Sequence, residues 1–203
     1  MRLIGMLDSP YVRRVAVSLK LMEMDFELSQ ISVFRGFDEF RSINPVVKAP
    51  TLITDEGVVL MDSGLILEHA DRLAGPSRSL MPAGIYDHAE ALHVIGFALA
   101  ACEKTVQIVY ERNLRPAEKQ HQPWLDRVQD QLLMAYGALE RAAAQPAAWF
   151  GGSRLMQPDV SVAVAWRFTQ HAAPGIAKPS DFPRLAAHSA RAEILPAFVE
   201  TSY

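Results

Sequence analysis

The sequence predicts a small α/β domain followed by an all-helical domain, and three observations carry that prediction. Within the first 75 residues short apolar strands alternate with amphipathic helices in the order βαβ and then ββα, which makes a small mixed sheet with helices packed on it. A stretch rich in Gly, Pro and Ser, AGPSRSLMPAG, then breaks the pattern at 74–84. Beyond it the apolar period changes to steps of three and four. The division is an α/β domain over 1–75, a linker over 76–86 and a helical domain over 87–203.

RLIGM (2–6) and FELSQISVF (26–34) read as strands. Between them Ser9 and Pro10 start a helix, Ser9 at the cap and Pro10 at the first position, with Val12, Val15, Ala16 and Leu19 along one face. A crossover of that length makes the two strands parallel. GFDEFRSINP (36–45) reads as a short helix or an irregular turn ended by Asn44-Pro45. APTLITDEGVVLM (49–61) reads as a hairpin turning at Asp55-Glu56-Gly57. DSGLILEHADRL (62–73) opens with two good caps and continues as a helix carrying Leu65, Ile66, His69, Ala70 and Leu73.

In the helical domain Leu92, Ile95, Leu99, Cys102, Val106 and Val109 mark one long amphipathic helix. Leu125, Val128, Leu132, Ala135, Leu139 and Ala142 mark a second, and RPAEKQHQP joins them as an antiparallel pair. DVSVAVAWRF (159–168) alternates as a strand would, and equally fits a helix buried on all sides. The tail carries short helical pieces broken by Pro174, Pro179, Pro183 and Pro196.

Half of the 203 residues are hydrophobic, enough for a full core, and the net charge of −3 points to no nucleic acid and no anionic membrane as partner. Arg13, Arg14 and Arg35 are scattered and read as solvated or locally paired. The single cysteine, Cys102, excludes a disulfide within the chain and sits on an apolar stripe as a core residue. Six histidines lack metal-ligand spacing, so no metal site is expected. The chain enters a strand at once, with no leader and no spanning segment evident, and the expectation is a cytoplasmic protein.

At the start of the first helix, Ser9 has two readings. It caps free amides, or it faces an anionic ligand at the positive end of a helix. Three stretches in register bear on the choice: SPYVRR after the first strand, INPVVKAPTL before the third, and DSGLILEHADRL after the fourth. Together they resemble the glutathione S-transferase family, in its bacterial members with an active-site serine. The resemblance implies a thioredoxin-like βαβαββα domain, then an all-helical domain that carries the acceptor pocket. It also implies a homodimer, and glutathione as co-substrate in place of any resident cofactor, with a small electrophile as second substrate.

By that resemblance Ser9 donates its hydroxyl to the glutathione sulfur and favours the thiolate, while Pro50 follows a cis peptide bond that turns the Ala49 backbone toward the cysteinyl unit. Ser63 holds the γ-glutamyl carboxylate, Asp62 lies near its amino group, and Lys48 pairs with the glycyl carboxylate. Tyr11 either walls the acceptor pocket or replaces Ser9 as donor, and Phe97, Tyr110 and Trp166 are further candidates for that pocket. One departure stands out. The family opens its sixth helix with a Ser/Thr-x-x-Asp capping box, and here MQPD puts Met156 at the cap. The resemblance still makes 159–171 a helix. A binding module without turnover is the competing function, and thiol–disulfide exchange is disfavoured by serine at position 9 and the lack of Cys-x-x-Cys.

Overall fold

The computed structural model describes residues 1–143 and 149–203. In chain order the elements are β1 (Arg2–Ile4), α1 (Pro10–Leu21), β2 (Glu27–Ser29), α2 (Phe37–Ile43), β3 (Thr51–Ile53), β4 (Val59–Met61) and α3 (Ser63–Ala74). There follow α4 (Ile85–Leu114), a 3-10 turn (Ala117–Lys119), α5 (Gln122–Ala142), α6 (Gln157–Ala172), α7 (Pro183–Glu193) and α8 (Pro196–Val199). They form two compact units, Met1–Met81 with Leu195–Tyr203, and Pro82–Ile194.

The first unit is a thioredoxin-like domain with a four-stranded sheet in the order β2-β1-β3-β4. β1 runs parallel to β2 and antiparallel to β3, and β3 runs antiparallel to β4. Ile4 lies opposite Thr51, and Thr51 opposite Met61. The end of β1, the start of β3 and the end of β4 are therefore side by side, and residues 5–9, 48–50 and 62–63 all leave the sheet from that one end. Val12, Val15, Ala16 and Leu19 of α1 join Leu3, Leu52, Ile66 and Ala70 in one core.

Three expectations change here. The second strand stops at Ser29, because the Ser32 hydroxyl accepts from the amides of Phe34 and Arg35 and turns the chain away from the ladder. Arg13 and Arg14 are buried, at 1% and 3% exposure, whereas Arg35 is exposed as expected. Arg13 Nε donates to the carbonyl of Thr201 at 3.1 Å and Nη2 to that of Phe198 at 3.2 Å. The guanidinium also faces the rings of Phe198 and Tyr203. These bonds explain why the last nine residues belong with the first unit and not with the helical one.

In the second unit α4 packs against α5 and α6. By length and composition α4 is apolar enough to cross a membrane, so the reading that no such segment exists does not hold on those criteria alone; its buried face belongs to this unit's core. Thr105, Thr169 and Tyr136 form a buried hydroxyl chain with spacings of 2.7 and 2.6 Å, and Cys102 is buried beside them in the core. DVSVAVAWRF is helical in α6. Alternation carried no information about a face, because every residue from Gln157 to Trp166 is buried.

Asp159 organises the entry to α6. Its carboxylate accepts the amides of Phe150 at 2.7 Å and Met156 at 2.9 Å, the second being the carboxylate half of a capping box. Met156 is the N-cap residue by position without a side-chain cap bond, as the sequence predicts, and Asp159 supplies the capping oxygen. Burial pushes the Asp159 carboxyl up to about 6 against those amide bonds. Burial also pushes His188, bonded through Nε2 to the Asp159 carbonyl, down to about 4. The two act on stability with opposite sign. The raised carboxyl makes stability fall as pH rises from about 3.8 to about 6, and the depressed imidazole makes it rise from about 4 to about 6.5. Asp159→Asn removes the falling limb. Its melting temperature is expected to climb between about pH 4 and 6.5 more steeply than that of the native chain; parallel profiles in calorimetric scans would contradict this.

Candidate functional site

The segments that leave one end of the sheet carry the residues singled out from sequence. Ser9 is the N-cap residue of α1, with extended backbone (φ −74°, ψ 123°), and Pro10 occupies the first helical turn. Its carbonyl accepts the first helical bond, from Arg13. Its hydroxyl makes no capping bond to the helix. The half-buried side chain therefore sits at the positive end of α1 without performing the local task that explains most such serines.

Ala49 and Pro50 are joined by a cis peptide, as the resemblance implied. The loop before them is pinned from both sides. Asn44 donates to Thr51 Oγ1 and accepts from the Val46 amide, and Thr51 Oγ1 donates to the Lys48 carbonyl. Val47 is held at φ +54° and Asp62 at φ +75°. A β-branched residue such as Val47 is unfavourable at positive φ, and such strain beside one site is the kind that functional loops retain. Gly5 completes the fit. Its φ is +138°, and a Cβ there would stand 2.6 Å from Val12 Cγ2 and 3.0 Å from Ala49 Cβ, so only glycine lets β1 lead past both.

Asp62 caps α3, its Oδ1 accepting from the Gly64 amide at 2.9 Å, and its Oδ2 lies 3.4 Å from Lys48 Nζ. Partial burial raises the Asp62 carboxyl, but the Gly64 amide, the Lys48 hydrogen bond and the Lys48 charge together hold it below the ordinary aspartate value. Lys48 is thus engaged with Asp62 and not simply solvated. Ser63, 4% exposed at the start of α3, accepts a 2.9 Å bond from Nη1 of the buried Arg14. Its own proton remains available to an incoming acceptor.

Arg14, Gly5, Asn44 and Thr51 were missed in the sequence. Arg14 escaped because its partner lies 49 residues away; a glycine ending a strand and an Asn-Pro before the motif were the available signals for Gly5 and Asn44. The proposed acceptor residues are not brought together as a group. Trp166 is withdrawn: it is 4% exposed and packs edge-on against Tyr136 and Phe182 in the core. Phe97 and Tyr110 are 13 residues apart on α4, about 20 Å along the axis and on different faces, so they do not share one small pocket. Phe97 is half-buried edge-on to His93, Tyr110 is 44% exposed, and Tyr11 is half-buried in the first turn of α1. Among the described residues no group of three or more His, Cys, Asp or Glu is placed to hold a metal ion.

A thioredoxin-like βαβαββα unit with a cis-proline before its third strand and a serine at the N-cap position of its first helix, followed by an all-helical unit, defines a class of two-domain proteins. The chain matches the glutathione S-transferase N-terminal domain model over residues 3–78 and the glutathione S-transferase C-terminal domain model over 122–191, and it belongs to that family. It is 25% identical over 142 residues to an uncharacterised GST-like protein, YibF, of Escherichia coli strain K12, covering 70% of this chain and 66% of that one. The chain matches its curated relatives over less than two thirds of their own length. A crystal structure of a glutathione transferase family member from Pseudomonas fluorescens Pf-5, with bound S-(propanoic acid)-glutathione, is 29% identical with a TM-score of 0.82, covering 99% of this chain and 98% of that one. A glutathione S-transferase from Methylobacterium radiotolerans, in complex with glutathione sulfonate, shares the fold at 24% identity and a TM-score of 0.91, covering 98% and 93%.

Proposed function

We propose that this chain is a glutathione transferase that binds glutathione across the sheet end and activates its thiol with the Ser9 hydroxyl for attack on a small electrophile. The observation that carries the proposal is the Ser9 side chain, placed at a helix cap yet making no cap bond. Free thiol has a pKa of about 8.5, and one charge-directed hydrogen bond at a helix N-terminus favours the thiolate. The thiolate is the nucleophile, and Ser9 stabilises its charge without forming a covalent bond.

The remaining groups match the rest of an extended tripeptide. The Ala49 backbone pairs with the cysteinyl unit as in strand addition. The γ-glutamyl carboxylate takes the Ser63 proton, with Arg14 behind that hydroxyl orienting it and adding positive charge. Asp62, kept ionised, accepts from the γ-glutamyl ammonium. Lys48 then exchanges its Asp62 partner for the glycyl carboxylate. The thioether of glutathione held by the Pseudomonas relative is the kind of product such a site makes.

The same reading implies a cytoplasmic homodimer. Val58, Val59 and Met61 of the hairpin and Leu65 of α3 are 40–61% exposed, an apolar surface on the first unit suited to an isologous contact. Light scattering at working concentration is expected to give twice the chain mass, and a monomeric mass would remove this claim. Ser9→Ala is expected to lower turnover with a generic electrophile about 10- to 100-fold while changing the glutathione dissociation constant by much less, because the lost bond strengthens as charge gathers on sulfur. Full activity in Ser9→Ala would move the donor role to Tyr11, and no glutathione binding in the native chain would refute the proposal.

A further inference from the structure

The helical unit holds a cavity of about 740 Å³ to which none of the sheet-end residues contributes. That size falls within the range of about 300–1,000 Å³ usual for small-molecule sites. Asp87 and Glu90 come from the start of α4, Trp149 and Phe150 from the segment before α6, and His188 and Arg191 from α7.

His188 is 4% exposed and supplies the decisive atom. Its Nε2 lies 3.1 Å from the Asp159 carbonyl, so Nε2 carries the proton and donates it. Burial keeps the ring neutral, pushing its pKa down to about 4. The lone pair is then on Nδ1, which makes no hydrogen bond with any described residue. Trp149 and Phe150 stand around the imidazole with ring centroids 5.3 and 5.1 Å away. An unpaired acceptor on a largely buried ring, open to the cavity between aromatic walls, suits a ligand that donates an N–H.

The charges point the same way. The Arg191 guanidinium lies over the Trp149 ring at 4.3 Å, and Arg184 is paired with Glu140 at 3.6 Å. Arg184 is thus paired with a carboxylate, while Arg191 stacks on the indole and keeps its charge. The carboxylates of Asp87 and Glu90 form no ion pair with a described residue. We propose that this cavity binds a small organic monocation with an apolar body, an arylalkylamine, whose ammonium is held between His188 Nδ1 and the acidic α4 wall and whose body lies against Val94, Phe150 and Met156.

Phenethylamine is the probe, titrated calorimetrically into the full chain, with phenylpropionate as its anionic counterpart. The expected result is saturable binding of the amine, none of the acid, and no change when glutathione is present at saturation. Asp87 and Glu90 are both exposed, so the double variant Asp87→Asn, Glu90→Gln keeps the fold. It is expected to bind the amine about fivefold more weakly. His188→Phe, judged only if its melt remains cooperative, is expected to abolish binding. Absence of amine binding, equal binding of acid and amine, displacement by glutathione, or unchanged affinity in the double variant would each overturn the proposal. The outcome is independent of the transferase reading, since neither turnover nor glutathione affinity is the readout.

Discussion

A buried guanidinium ties together the two helix starts at the sheet end. Arg14 sits on the second turn of α1 and donates at 2.9 Å to the hydroxyl of Ser63, the first residue of α3. A cation at 3% exposure is tolerated only where it meets acceptors, so this contact restricts how α1 and α3 cross. The register of β1, β3 and β4 does the rest, bringing the segments with Ser9, Ala49 and Asp62 out of one end of the sheet. Gly5 keeps that end narrow, because any side chain there would strike Val12 and Ala49. The site follows from the fold's most constrained corner.

Much of this was legible because it is local. A cap serine followed by proline, an Asn-Pro turn, an Ala-Pro before a strand and an Asp-Ser helix start each declare themselves within a few residues. What was not legible depends on partners far along the chain. Arg13 and Arg14 read as surface charges, yet Arg13 bonds carbonyls 185 and 188 residues away, and Arg14 a hydroxyl 49 away. The assignment of the C-terminal tail failed for the same reason. Its apolar residues Phe198 and Tyr203 cover Arg13, and no local pattern announces that.

Period also misled where burial is complete. α6 alternates like a strand, but a helix enclosed on every side has no polar face to leave a 3.6-residue signature. Trp166 illustrates the cost for site prediction: an aromatic residue on that helix looked like a pocket wall and is core. The hydroxyl chain of Thr105, Thr169 and Tyr136 shows how the helical unit satisfies polar groups inside that core.

The account stands on one claim, that the Ser9 hydroxyl is reserved for sulfur. The most direct test is the ultraviolet absorbance of the thiolate, followed against pH for glutathione bound to the native chain and to Ser9→Ala. The account predicts that the native chain brings the bound thiol below the free value of about 8.5, and that Ser9→Ala returns most of that shift while still binding glutathione. A bound thiol that titrates at the same pH in both proteins would contradict it.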